Sequence, residues 1–230
     1  MKQYKALKIR LYPNKEGKTQ IDKNLGSCRA LYNMMLYERI SQIHIKDNIY
    51  IIPPIQTFKT EIEYMKKYPW LKEVDSIALR QSKKNLDKSF TEFVISNKNQ
   101  KRDKPLISLP HYKKKKLHNS YKTLFSNNNI ILDYNNKKIK LPTLTPIHYR
   151  DHRVKEFGNI VSVTVRRTST EKYFASILFS SAHQAVPKRK VTNENKVIGI
   201  DMSLKHFYID QDGNSPQFIQ KIRMYEKKLK

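Results

Sequence analysis

The spacing of apolar residues changes period twice along this chain, and that change constrains the fold class more than any other feature. Between residues 2 and 12, Lys5, Leu7, Ile9 and Leu11 alternate with Tyr4, Ala6 and Lys8, which is the period of a strand, and Pro13 ends it. From about Lys15 to Ile45 the apolar positions recur at helical spacing behind Asn14, a residue suited to cap a helix. Gly26 lies inside that stretch and predicts a kink, or a turn between two shorter helices, so a helix-turn-helix start stays open. A further helix is expected over Gln56 to Lys67, stopping before Pro69, with Trp70 in a short connector. Another, capped by Asp75 or Ser76, places Leu79, Leu86, Phe90 and Phe93 on one apolar face. Period two then returns. Asn129 to Leu141 reads as a hairpin about Asn135-Asn136. Ile160 to Thr168, with Val161, Val163 and Val165 on one face, turns through Ser169-Thr170-Glu171 into Tyr173 to Ser180. Strands, helices and strands in that order specify an α+β chain.

Charge narrows the partner. The 230 residues carry 46 Lys+Arg against 20 Asp+Glu, a net +26. An excess of that size repels itself in a compact state, so a polyanion is needed to neutralise it, and nucleic acid is the leading candidate. A membrane surface is the rival polyanion, but no apolar run approaches the roughly 20 residues of a spanning helix. The start of the chain lacks the apolar core of a signal peptide, which reads as cytoplasmic. The excess is concentrated: residues 101–155 hold 14 Lys+Arg against 3 Asp+Glu, so this proline-punctuated stretch is expected to be a basic β-subdomain. Within it Lys113, Lys114, Lys115 and Lys116, followed by Lys122, supply cations for phosphates, and Tyr112 and Tyr121 supply rings that can stack on bases.

Other residue types are less productive. Cys28, the only cysteine, falls on the apolar helical spacing Ile21, Leu25, Cys28, Tyr32, Met35 and reads as a core residue, with no internal disulfide or cysteine-based zinc ribbon possible in these residues. His148 and His152 have helical metal spacing, but Pro142 and Pro146 argue against a helix there. Residues 184–195 are polar and mark a boundary. Beyond it Val197 to Ile200 and Phe207 to Ile209 read as a hairpin, with Asp210 and Asp212 as turn residues beside Gly213, followed by a basic helix over Lys221 to Lys230. Asp201 ends the first of these strands. A phosphodiester-cleaving centre needs several carboxylates converging on two cations, and one carboxylate does not supply that.

Several segments together resemble the OrfB/TnpB proteins of insertion sequences, the transposon-encoded relatives of type V CRISPR effectors. They are Arg10-Leu11-Tyr12-Pro13-Asn14-Lys15-Glu16, Tyr68 to Ser76, the Lys113–Lys116 run, Ser120-Tyr121-Lys122-Thr123, Ile139-Lys140-Leu141-Pro142, Ser162-Val163-Thr164-Val165 and Gly199 to Lys205. The resemblance implies an RNA-guided DNA endonuclease with guide RNA and target DNA as partners. Its fold would be a wedge-like β-barrel (residues 1–13 and 101–195) with an inserted helical recognition lobe (14–100), followed by the first strands of a RuvC/RNase H-like domain (196–230). Asp201 would be that domain's first catalytic and metal-binding carboxylate, with Mg²⁺ as cofactor. The family's further carboxylates and its zinc-ribbon cysteines have no counterpart in these residues. The expectation is therefore a truncated, cleavage-inactive form. The alternatives are an active nuclease completed by another chain or a missing C-terminal part, and a guide-dependent repressor that only binds DNA.

Overall fold

A computed structural model of the chain describes residues 3–46, 49–98, 108–115, 117, 119–150, 158–181, 198–202 and 208–215. Contacts divide the chain into two compact units, residues 1–184 and 185–230.

The first unit begins with β1 (Gln3–Tyr12), which buries Leu7, Ile9 and Leu11 and exposes Tyr4, Lys8 and Tyr12, as the alternation requires. Pro13 stops the strand, and the Asn14 side chain accepts a hydrogen bond of 2.8 Å from the Gly17 amide, starting α1 (Lys15–Ser41). This helix runs without a break through Gly26, so neither the expected kink nor the turn is present. The buried spacing of Ile21, Leu25, Cys28, Leu31, Tyr32 and Met35 continues across the glycine, and packing of that face holds the helix together where propensity alone argues for an interruption. The helix ends at Ser41, earlier than expected, because His44–Lys46 (β2) pairs with Ile49–Ile51 (β3) in a small hairpin.

The second expected helix is also shorter. A 3-10 turn at Ile55–Thr57 precedes it, and α2 covers only Glu61–Lys67. Its start is fixed by a capping box: Thr60 and Glu63 satisfy each other's backbone amides. Trp70 sits in a 3-10 turn over Pro69–Glu73. Then α3 (Ser76–Lys98) starts at Asp75, whose carboxylate accepts from the Ile77 amide at 2.9 Å, and it buries the predicted Leu79, Leu86, Phe90 and Phe93.

The remaining strands are β4 (Ser120–Leu124), β5 (Ile131–Asp133), β6 (Lys138–Lys140), β7 (Ile147–Arg150), β8 (Asn159–Arg167) and β9 (Tyr173–Ser181). With β1 they form one seven-stranded antiparallel sheet, curled into a half-barrel, in the order β4-β8-β9-β1-β7-β6-β5. The two predicted hairpins are β5–β6 and β8–β9. A bulge between Ile160 and Ser162 removes Val161 from the row of buried valines, so Ser162 and Val163 are buried in succession while Val165 keeps its expected face. The helices and the sheet share a continuous hydrophobic cluster that runs from Leu31, Leu79 and Phe90 to Ile139, Val165 and Ile177.

In the second unit a two-stranded ladder joins β10 (Ile200–Asp201) to β11 (Ile209–Asp210). The predicted turn follows, with the Asp210 carboxylate accepting from the amides of Asp212 and Asn214 at 3.0 and 2.7 Å. Val197, Phe207, the 184–195 boundary and the basic helix at 221–230 fall wholly or largely outside the described residues, as does His152.

Two substitutions test this packing. Phe90 is fully buried and meets Phe58 and Phe93 edge-on, so Phe90→Ala should destabilise by about 3–5 kcal/mol in chemical denaturation. A change under about 1 kcal/mol would show that α3 buries another face. Nothing lies within 4 Å of a Cβ placed on Gly26, so Gly26→Ala should raise stability by about 0.5–1 kcal/mol if the helix is continuous, and lower it if the chain turns there.

Candidate nucleic-acid interface

The residues that sequence singled out do not all reach one surface. Tyr121 is only 4% exposed and belongs to the core, because β4 alternates and turns its odd-numbered residues inward; its ring cannot stack on a base, which corrects that expectation. Lys122, the next residue, is exposed for the same reason. Lys113 is anchored to α1: Asn33 accepts from its backbone amide at 2.8 Å and donates to its carbonyl at 3.1 Å, and its ammonium lies 3.9 Å from the Tyr32 ring centroid. Burial holds that ammonium below the ordinary lysine range. Lys113 thus fastens the basic segment to the helix, while Tyr112, Lys114 and Lys115 stand exposed beside it. Lys116 lies outside the described residues.

A larger basic surface arises from strand register, and no single segment of sequence announces it. Residues directly opposite one another in an antiparallel pair project from the same face. Arg10 on β1 faces Arg150 on β7 and Phe174 on β9; Phe174 in turn faces Arg166 on β8. One row across four neighbouring strands therefore reads Arg166, Phe174, Arg10, Arg150. The neighbouring row aligns Lys122, Thr164, Ser176 and Lys8, and the row beyond Arg10 aligns Tyr12, His148, Lys138 and Asp133. The opposite face of the same strands carries Ile9, Leu11, Tyr149, Val165, Ala175 and Ile177, all buried. Burying that face is what turns the cations outward.

The rings and cations on this face already interact. The Arg10 guanidinium lies 5.3 Å from the Tyr12 ring and 5.9 Å from the Phe174 ring, and the Lys8 ammonium is 4.8 Å from Phe174. Tyr12 is 48% exposed. The one carboxylate in these rows, Asp133, is engaged by the Asn136 backbone and side-chain amides at 2.8 and 2.7 Å, and those bonds hold it below the usual carboxylate range. Cations for phosphates and rings for bases on a sheet face suit a single strand of nucleic acid.

Two of the cavities along α1 differ in chemistry. One, of about 480 Å³, lies between α1 and α2 beside Tyr37, Tyr64 and Tyr68; its carboxylates Glu38 and Glu63 are balanced by Lys59 and Lys67, Lys59 pairs with Glu38 at 2.9 Å, and the Tyr64 hydroxyl donates to Glu38. The other, of about 310 Å³, is a cleft between α1, α3 and β4 with Arg29, Lys113 and Lys122 among its lining residues and no carboxylate among the described ones. Cys28 also borders it, and burial together with Asp75 pushes its thiol up to about 12, only partly countered by Lys113, so it stays a protonated core residue as the sequence indicates.

Asp201 stands exposed on β10. Ile200 pairs with Asp210 and Asp201 with Ile209, so the two aspartates project from opposite faces of the ladder, and Asp210 is held in its turn. Among the described residues no three His, Cys, Asp or Glu side chains gather at a metal-binding distance. The described residues do not fit a two-cation centre.

Comparison with known proteins places this surface in context. Residues 1–45 match the helix-turn-helix domain profile of IS605-type OrfB proteins, although here those residues form β1, one unbroken helix and the start of β2. The whole chain is 26% identical over 230 residues to the Escherichia coli (strain K12) protein named "Putative RNA-guided DNA endonuclease InsQ", covering 52% of that relative. Over 101 residues, 38% of this chain, it is 32% identical to the Salmonella dublin virulence protein VsdF, covering 79% of the latter. The chain spans about half the length of the relative that it matches end to end.

Binding to single-stranded nucleic acid should weaken steeply with salt, log K falling by about 0.7 for each phosphate neutralised. Replacing Arg10, Arg150 and Arg166 with glutamine should lower both affinity and slope, and Lys114→Gln with Lys115→Gln should do so to a smaller extent. Fluorescence anisotropy across a salt series checks this. A flat salt profile, or triple-variant binding equal to that of the parent, would mean the face is merely solvated.

Proposed function

Because this chain belongs to the OrfB/TnpB family of transposon-encoded insertion-sequence proteins, we propose that its residues 1–184 are the nucleic-acid-handling part of an RNA-guided DNA endonuclease, with guide RNA and target DNA as partners. The observation that carries this reading is the cross-strand row Arg166, Phe174, Arg10, Arg150 on the solvent face of the seven-stranded sheet. A net charge of +26 supplies the long-range attraction, and the row supplies a place where phosphates and bases are met together. In this reading the sheet is the family's wedge-like barrel and the helices of residues 15–98 are its recognition lobe. Residues 196–230 open a RuvC-like domain in which Asp201 is the first carboxylate.

Magnesium would supply charge neutralisation at the phosphodiester, and Asp201 is the residue that would hold it here. By itself it offers one carboxylate, so it should bind the ion weakly and leave most of the coordination to water. Asp210 cannot join it while it faces the other side of the ladder and accepts two backbone amides. Binding of guide and target is therefore the activity assigned to these residues, without cleavage by them alone.

RNA recovered with the purified chain and sequenced tests the reading: enrichment of one discrete RNA species supports a guide, and a random sample of cellular RNA counts against it. Reconstituted with that RNA, the chain should retain a matched DNA without cutting it, and Asp201→Ala should bind equally well. Magnesium-dependent cleavage lost in Asp201→Ala would overturn the non-cleaving assignment and show that a second chain completes the centre.

A further inference from the structure

The cleft between α1, α3 and β4 has features that a structural gap between helices does not need. Its volume of about 310 Å³ lies at the lower end of the range for small-ligand sites, roughly 300–1,000 Å³, so it admits a single nucleotide and excludes a duplex. Among the described residues three of its lining side chains are cations, Arg29 from α1, Lys113 from the basic segment and Lys122 from β4, and none is acidic. Two more, Gln81 and Tyr121, are at least nine-tenths buried, and among the described residues the Gln81 amide nitrogen and the Tyr121 hydroxyl have no hydrogen-bond partner. Buried polar atoms left unmatched cost stability and are uncommon, and both of these belong to residues that line the same cavity. Burial, with Asp75 and Cys28 adding to it, pushes the phenol well above its ordinary range, so it stays protonated and able to donate.

The cleft is continuous with the sheet face. Lys122 and Thr164 line it and also belong to the row that reaches Lys8 across the outer surface. A strand lying on that face passes the cleft mouth.

We propose that this cleft is a single-nucleotide subsite, in which one nucleotide splayed out of a bound strand sets its phosphate among Arg29, Lys113 and Lys122 and its base or sugar edge against Gln81 and Tyr121. The proposal rests on the nucleic-acid reading above and adds the place where sequence is read. Phosphate contacts hold any strand equally, whereas an amide and a hydroxyl discriminate between base edges.

The test uses the full chain, a fluorescein-labelled single-stranded RNA of mixed sequence and a salt series. Arg29→Gln with Lys122→Gln should reduce the slope of log K on log salt by about 0.7 per cation removed. Tyr121→Phe and Gln81→Leu should leave the slope unchanged and weaken binding by about 3- to 10-fold each, the loss of one neutral hydrogen bond. Tyr121→Phe should melt at or above the parent temperature, because the hydroxyl has no partner in the free protein; a lower melting temperature with unchanged affinity would make the hydroxyl structural and overturn the subsite. If the parent binds with a steep salt dependence and all of these variants match it, the subsite fails while the broader reading stands. If the parent itself binds no RNA, the broader reading fails with it. A rise in melting temperature given by inorganic phosphate alone and lost in Arg29→Gln would make this a free-anion site and reject the nucleotide.

Discussion

One buried guanidinium ties the two long helices together. Arg39, near the end of α1, is 1% exposed and forms an ion pair with Asp87 on α3, whose other carboxylate oxygen accepts from Lys83 at 2.8 Å. The faces of Phe58 and Phe90 lie 5.0 and 5.4 Å from the guanidinium carbon, so the cation is flanked by rings as well as neutralised. Its Nε and Nη1 have no hydrogen-bond partner among the described residues. A charge so placed is costly to separate from its partner, by about 3–5 kcal/mol, and that cost favours the one helix–helix alignment in which Asp87 meets it. Neutral bonds reinforce the alignment toward the other end of α1: the Ser82 hydroxyl donates to the Cys28 carbonyl at 2.7 Å, and the Asn24 side chain accepts from the Asp75 amide at 2.9 Å.

The cleft and the basic sheet face depend on that alignment. Arg29 sits one residue beyond Cys28 on α1, and Gln81 one residue before Ser82 on α3, so the Ser82–Cys28 bond joins the two walls of the cleft directly. β4 supplies the third wall by packing Tyr121 against the helices and leaving Lys122 at the rim. Arg167, at the end of β8, reaches Asp22 on α1 at 2.8 Å, which ties the sheet to the same helix. Helices and sheet are fastened by a shared core and by specific polar bonds, which fix where the basic outer face lies relative to α1.

The solvent face of the sheet shows how stability and surface charge share one pattern. Ile9, Leu11, Ala175 and Val165 are buried because the sheet must cover the helices, and strand alternation then obliges Lys8, Arg10, Phe174 and Arg166 to point outward. Six cations on one face repel each other in the free protein, and the Arg10 and Lys8 contacts with Phe174 moderate that repulsion without neutralising it. A bound polyanion would complete the balance.

Sequence alone determined the elements whose periodicity is strong and whose ends carry side-chain signals: β1 up to Pro13, α1 from Asn14, α3 from Asp75, the two hairpins and the turn at Asp210. Those depend on neighbours a few residues apart, which a sequence displays. It also showed the strong positive excess, since net charge is a sum that needs no coordinates. It did not settle whether α1 crosses Gly26, because the core on either side outweighs the local preference of one glycine. Nor could it sort Tyr121 from Tyr12 as a stacking ring, since both are tyrosines in basic strands and only the pairing of β4 with β8 turns one inward. The row Arg166, Phe174, Arg10, Arg150 joins residues more than a hundred positions apart, and the cleft brings Arg29, Gln81 and Lys122 together from three elements. Strand register and helix packing are decided by long-range burial, and so only the tertiary structure assembles the basic face and the cleft beside it.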